Sequence, residues 1–156
     1  MSGSIIKSQI NQINNGVSST LVAELHTGYM VLGDHQRFKG YTLFLCKQDA
    51  TELHQLEKFF KIEFLEEMSL VAECVWEAFK PQKLNYELLG NGDPHLHWHI
   101  FPRFSDDSVK GPVWWLPFKE MQVELPKEEM QKLKHQLLLA VKNNKEIQSH
   151  IIKLTN

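Results

Sequence analysis

The run His95-Leu96-His97-Trp98-His99-Ile100-Phe101 alternates imidazole with apolar side chains. Strand side chains point to opposite faces with period two. The spacing therefore predicts a strand with His95, His97 and His99 on one face and Leu96, Trp98 and Ile100 on the other. One face suits burial and the other suits chemistry, because imidazole is costly to bury without partners.

The rest of the chain supports a single α+β domain. At 156 residues it is long enough for one real hydrophobic core. The first sixteen residues read as a short helix or arm, with Ile5, Ile6, Ile10 and Ile13 as a weak helical stripe. Strands are expected at Thr20–Leu25, Tyr29–Leu32 and Tyr41–Lys47, the last two separated by turn signals at Gly33-Asp34 and Lys39-Gly40. Asp49 is a candidate cap, with Glu52 three residues on. A long apolar stripe then runs from Leu53 to Phe79 as one helix, or as two with a kink near Leu56, and Pro81 ends it. Further strands are expected at Lys83–Leu89 and His95–Phe101, joined by the turn Gly90–Pro94. Residues 105–118 read as an ordered loop, and a last helix starts near Pro126 with Met130, Leu133, Leu137 and Val141 buried. The architecture implied is an antiparallel sheet of about five strands with a long helix and a C-terminal helix packed on it. Its parts are residues 1–16 as arm, 17–118 as main domain and 119–156 as a helical extension.

A net charge of −2 gives no general electrostatic basis for binding nucleic acid. No apolar run approaches the roughly 20 residues that span a bilayer, and the N-terminal residues lack the apolar stretch of a signal peptide. Cys46 and Cys74 have no metal or redox spacing, so reduced thiols in a cytoplasmic protein are expected.

Two chemistries compete for the three-histidine face. Imidazole is a common zinc ligand, but alternate strand residues lie about 6.6 Å apart, which sets His95 and His99 roughly 13 Å apart at Cα. One ion with bonds of about 2.0–2.1 Å would have to draw both outer rings sharply inward. Phosphate chemistry fits the row better. A neutral central ring can attack phosphorus while its neighbours donate hydrogen bonds to the charged oxygens. His97 is then the nucleophile, flanked by His95 and His99. Histidines with no catalytic role are the remaining alternative.

The run resembles the signature of the histidine triad (HIT) family, three histidines alternating with apolar residues and followed by two more. Asn85, Gly90-Asn91-Gly92 and Pro102-Arg103 are similar to the family's surroundings, as is Gly40–Lys47, and the likeness spans roughly residues 20 to 105. The resemblance implies an α+β fold and a homodimer that hydrolyses or transfers nucleotides at the α-phosphate. It implies a covalent nucleotidyl intermediate on His97, with His99 bonding phosphate or leaving-group oxygens and His95 orienting the nucleophile. The substrate would be a nucleotide or dinucleoside polyphosphate, with no cofactor and no dedicated metal. Asn85 and Asn91 match positions near ribose or phosphate, Asn91 standing for a longer Gln; Gly92 could offer its amide or simply form the turn. Tyr41 stands where many members carry a further histidine, and Asp49 where another is common. A tyrosine can donate a hydrogen bond but cannot act as an imidazole acid at neutral pH. These departures leave a nucleotide-binding protein with weak or lost catalysis as the alternative to a hydrolase, and a histidine-ligated metalloenzyme as a third reading.

Other signals are weaker. Arg103 shares the triad's side by parity and could meet phosphate. Asp34 reads as a solvated turn residue rather than a ribose acceptor. Trp114-Trp115 could stack a base or meet a second subunit, with packing on their own domain the blander expectation. His26, His35, His54, His135 and His150 read as ordinary surface or boundary residues, and Lys127–Lys134 as a solvated helix face.

Overall fold

In the computed structural model, residues 3–156 are described. Six antiparallel strands form one sheet: β1 (Leu21–Leu25), β2 (Gly28–Leu32), β3 (Thr42–Cys46), β4 (Lys83–Glu87), β5 (His97–Arg103) and β6 (Ile151–Leu154). Their spatial order is β4-β5-β3-β2-β1-β6. The helices are α1 (Ile5–Asn14), α2 (Lys58–Phe79), the single turn α3 (Phe118–Met121) and α4 (Lys127–Asn143). The class is α+β.

The register separates the two faces. Leu45 pairs with His97 and Leu43 with His99, while Phe44 pairs with Trp98 and Thr42 with Ile100. Phe44, Ile100, Leu84, Met30 and Leu32 lie on the face covered by α2 and α4, where they pack with Phe64, Val71, Val75, Leu137 and Val141. Burying one such side chain is worth roughly 1.5–3 kcal/mol, so this layer carries most of the stability. The opposite face belongs to the histidines and has two small covers. Helix α1 lays Ile6 and Ile13 on Tyr29, Val31, Leu43 and Leu45. At the far end of β5, Val113 packs with Phe38 and Phe101. His97 and His99 lie between these covers.

Several boundaries differ from expectation for local reasons. Asp49 caps no helix; its carboxylate pairs with Lys7 at 2.8 Å. After it the chain bends into a short 3-10 turn (Leu53–Gln55), where Gln55 Oε1 accepts from the Thr51 and Glu52 amides. Glu57 is the true cap of α2, accepting from the amides of Phe59 and Phe60. Lys80 ends that helix in the left-handed region (φ 50°), which lets Pro81 follow. Pro126 is the cap position rather than the first residue of α4. Lys134 leaves the otherwise solvated face and is buried, with its ammonium on the Ser19 carbonyl at 3.2 Å.

The C-terminal extension is not wholly helical. Ile151–Leu154 returns as edge strand β6 beside β1. Four residues paired on one side carry too little alternation to be read as a strand, and a 3-10 turn (Ile147–His150) precedes them. Cys46 and Cys74 are buried free thiols. Among the described residues no helix is long and apolar enough to cross a membrane.

Candidate active site

Strand β5 begins at His97, two residues later than expected. His95 lies just before it, where the chain is still stitched to β3: the Cys46 amide donates to the Leu96 carbonyl at 3.1 Å. His95 turns its ring to the end of β3, its Nε2 lying 2.8 Å from the Cys46 carbonyl oxygen. His97 Nδ1 lies 2.5 Å from the His95 carbonyl oxygen, and His97 Nε2 lies 2.9 Å from His99 Nε2. Tyr41 Oη closes the row 2.6 Å from His99 Nδ1. The three rings do not converge on one point, because His95 is spent on a backbone contact.

These contacts assign the protons. A carbonyl oxygen only accepts, so His95 carries its hydrogen on Nε2 and His97 on Nδ1. The neutral His97 ring then has a bare lone pair at Nε2. His99 must donate to it from its own Nε2, which leaves His99 Nδ1 to accept from the Tyr41 hydroxyl. The network has one self-consistent direction, from Tyr41 through His99 to His97 and on to the backbone of His95. It presents the His97 Nε2 lone pair, with an N–H donor beside it.

Electrostatics favour the neutral rings of His97 and His99. Burial pulls the His97 pKa below its ordinary value, opposed by the bond to the His95 carbonyl and the charge of Asp93. Burial, then the neighbouring His97, lowers His99 to about 3. Burial first, then the charges of Glu87 and Asp34, pushes the Tyr41 phenol up, so it remains a hydrogen-bond donor. Tyr41 also stacks on Phe101 with centroids 4.3 Å apart.

The flanking candidates separate into two groups. Asn85 on β4 pairs with Phe101 and so shares the triad's face. Arg103 is on that face too, yet its guanidinium is held by the protein itself. Nε donates to Asp107 at 2.8 Å, one terminal nitrogen to Asn85 Oδ1 at 2.7 Å and the Gly111 carbonyl at 3.0 Å, and the other to the Val109 carbonyl at 2.5 Å. The cation also lies over the Phe38 ring. Arg103 thus organises the loop after β5. Asn91 and Gly92 stand exposed in the turn before the triad. Asp34 is exposed and accepts from Gln9 Nε2 at 3.1 Å. Trp114 and Trp115 are 62% and 63% exposed, with the Trp115 ring lying against Gly111 of its own loop.

Two residues were missed from sequence. Asp93 looks like a turn former, but its carboxylate accepts from the Ser4 hydroxyl, the Ile6 amide and the His95 amide. It joins the start of α1 to the triad; a Ser before an isoleucine stripe was the available signal for the helix end. Glu87 pairs with His99 across β4 and β5, and burial raises its pKa. Only the register could show this.

Two cavities adjoin the face. One of about 70 Å³ is lined by Thr51, Glu52, Gly90, Pro94, His95 and His97 among others. It suits a phosphoryl-sized group, whereas whole-ligand pockets run to roughly 300–1,000 Å³. The other, about 790 Å³, follows the β4 edge past Asn85, Glu87, Arg103 and Trp114. The smaller one matters for chemistry because it contains His97.

Residues 14–106 match the HIT domain family, more than half of the chain, so the protein belongs to the HIT family. Solved structures agree in fold. A histidine triad protein from Sinorhizobium meliloti is 24% identical with a TM-score of 0.70, covering 78% of this chain and 88% of that one. A histidine triad protein from Marinobacter aquaeolei is 24% identical with a TM-score of 0.69, covering 78% of this chain and 88% of that one. A hypothetical histidine triad nucleotide-binding protein from Sulfolobus tokodaii is 21% identical with a TM-score of 0.70, covering 90% and 95%. No curated protein sequence matches.

Proposed function

We propose that the protein is a nucleotide hydrolase that cleaves a phosphoanhydride or phosphoramidate bond at the nucleotide α-phosphate through a nucleotidyl adduct on His97. The observation that carries this reading is the pair of contacts from His97 Nδ1 to the His95 carbonyl and from His97 Nε2 to His99 Nε2, from which a neutral Nε2 lone pair beside the His99 N–H follows. In the first step Nε2 attacks the α-phosphorus, an N–P bond forms, and the bond to the leaving group breaks; a phosphate leaving group departs as its anion and an amine leaving group takes a proton from solvent. Nδ1–H stays on the His95 carbonyl and stabilises the ring as it takes positive charge. The His99 N–H, released from the consumed lone pair, turns to a phosphoryl or leaving-group oxygen. Water then attacks phosphorus, breaks the N–P bond, gives its proton to solvent and restores His97. Asn85, Asn91 and Gly92 are the positions proposed to meet ribose or phosphate. Tyr41 supports His99 rather than touching phosphorus, and no step needs a cofactor.

A nucleotide-binding protein with weak turnover is the second reading. The Tyr41 contact favours it, since a phenol held protonated cannot supply the acid that an imidazole would. We also propose a homodimer, which the family resemblance implies. The β4 edge carries the exposed Tyr86, with Leu89, Trp114 and Trp115 also exposed. A cytoplasmic location is proposed on the two free thiols.

The test is turnover of adenosine phosphoramidate and dinucleoside polyphosphates by the wild type and by His97→Ala, with and without chelator. Hydrolysis that disappears in the variant and survives chelator on the phosphoramidate supports the hydrolase. Tight nucleotide binding without turnover favours the second reading. Light scattering after gel filtration reads the dimer.

A further inference from the structure

We propose that His26, Glu63, Glu67 and His150 form a zinc site that clamps the C-terminal strand onto the body of the domain, remote in sequence from the triad. His26 sits in the β1–β2 turn, Glu63 and Glu67 on successive turns of α2, and His150 immediately before β6. One ligand atom from each lies within 4.8 Å of all the others.

The distances suit a tetrahedron. Zinc bonds of about 2.0–2.1 Å imply ligand-to-ligand edges of about 3.3 Å. His26 Nδ1 is 2.7 Å from Glu63 Oε1 and 4.0 Å from Glu67 Oε1. His150 Nδ1 is 3.6 Å from Glu63 Oε1 and 3.2 Å from Glu67 Oε1. These four edges bracket the tetrahedral value, so small side-chain rotations seat a central ion. Two neutral imidazoles and two carboxylates also form a donor set that zinc accepts.

Charge makes the same point. Two glutamates four residues apart on a helix repel one another. Glu67 is fully buried, where an ionised carboxylate is costly without a counter-charge. His26 Nδ1 meets Glu63 and His150 Nδ1 meets Glu67, so both imidazoles are already turned toward the carboxylates, and a divalent cation between them would neutralise both. The support is already built. Glu67 Oε2 accepts from the Thr27 amide at 2.9 Å and from the Thr27 hydroxyl, which holds Oε1 toward the cluster. Oε1 also accepts from the His26 amide at 3.1 Å. The His26 side chain is 45% exposed, which gives an ion a way in.

The experiment strips the full-length protein with chelator, then titrates zinc against a chromophoric indicator, with thermal melts at each saturation. The expected result is one zinc per chain and a melting temperature raised by about 5–10 °C at hundredfold excess over Kd. Cobalt substitution should give the visible absorption of a tetrahedral site. His26→Ala and Glu63→Gln, both at partly exposed positions, should each lose at least about tenfold in affinity while remaining folded by circular dichroism. His97→Ala and Asp49→Asn should keep the full stoichiometry. Absence of stoichiometric zinc, or unchanged affinity in both cluster variants, overturns the proposal. So does loss of zinc in the His97 or Asp49 variant with retention in the cluster variants, which would move the metal to the triad.

Discussion

Tyr41 Oη lies 2.6 Å from His99 Nδ1 and completes the network whose direction the His95 carbonyl sets. With Nδ1 accepting, Nε2–H must point at His97. The tyrosine thus performs an orienting task across the sheet while its ring packs on Phe101.

Tyr41→Phe should therefore keep the fold and lose the orientation. One hydrogen bond of about 1–1.5 kcal/mol corresponds to roughly a tenfold fall in kcat/KM. Melting temperature should fall by only a few degrees, since the phenyl ring retains its stacking. Steady-state kinetics beside a thermal melt check both halves.

Acid should weaken the protein through its buried rings. His97 and His99 have folded pKa values below the ordinary histidine value of about 6.5, with His99 at about 3. Between those values the unfolded chain binds protons that the folded chain refuses. This contribution to stability is therefore complete above about pH 6.5 and is lost progressively as pH falls toward the folded value. Urea unfolding at pH 7.5 and pH 5 should show lower stability at pH 5, with a smaller drop in His99→Asn. An equal drop in the two proteins would contradict the burial argument.

Arg103 is predicted to be a structural residue. Its guanidinium joins Asp107, Asn85 and two loop carbonyls, with its side chain only 11% exposed. Arg103→Met should cost about 3 kcal/mol by leaving Asp107 and the carbonyls without their donor. Arg103→Lys should restore little, because one ammonium cannot span the same fork. Denaturant unfolding reads the loss. Limited proteolysis should find the 105–112 loop newly cleavable.

Asp93 couples the N-terminal helix to the triad. Asp93→Ala removes acceptors for Ser4, Ile6 and His95, at a cost of about 1–2 kcal/mol. Hydrogen exchange should rise first in α1. Its carboxylate also favours protonated His97, so the acid limb of the activity profile should shift to lower pH in the variant.

The legible parts of this molecule are those fixed by local period. The alternation around His97 correctly separated the histidine face from Trp98 and Ile100, and the apolar stripe from Leu53 to Phe79 located the long helix, although its first residues form a 3-10 turn before α2. Position relative to distant chain was not legible. The Tyr41–His99 bond, the Glu87–His99 pairing and the Asp93 link to Ser4 join residues 58, 12 and 89 positions apart, which only strand pairing and the docking of α1 bring together. His26 and His150, 124 positions apart by number, carry no local pattern at all. Arg103 was assigned to the correct face, but its partners in the following loop decide what the charge does.

Attack of His97 Nε2 on phosphorus would leave a covalent adduct that rapid quenching during turnover can trap. Intact-protein and peptide mass spectrometry after acid-free quench should show one nucleoside monophosphate attached to His97, absent in His97→Ala, whose turnover falls by about a thousandfold or more. Turnover with no adduct under rapid quench, or an adduct on a different residue, would contradict the account.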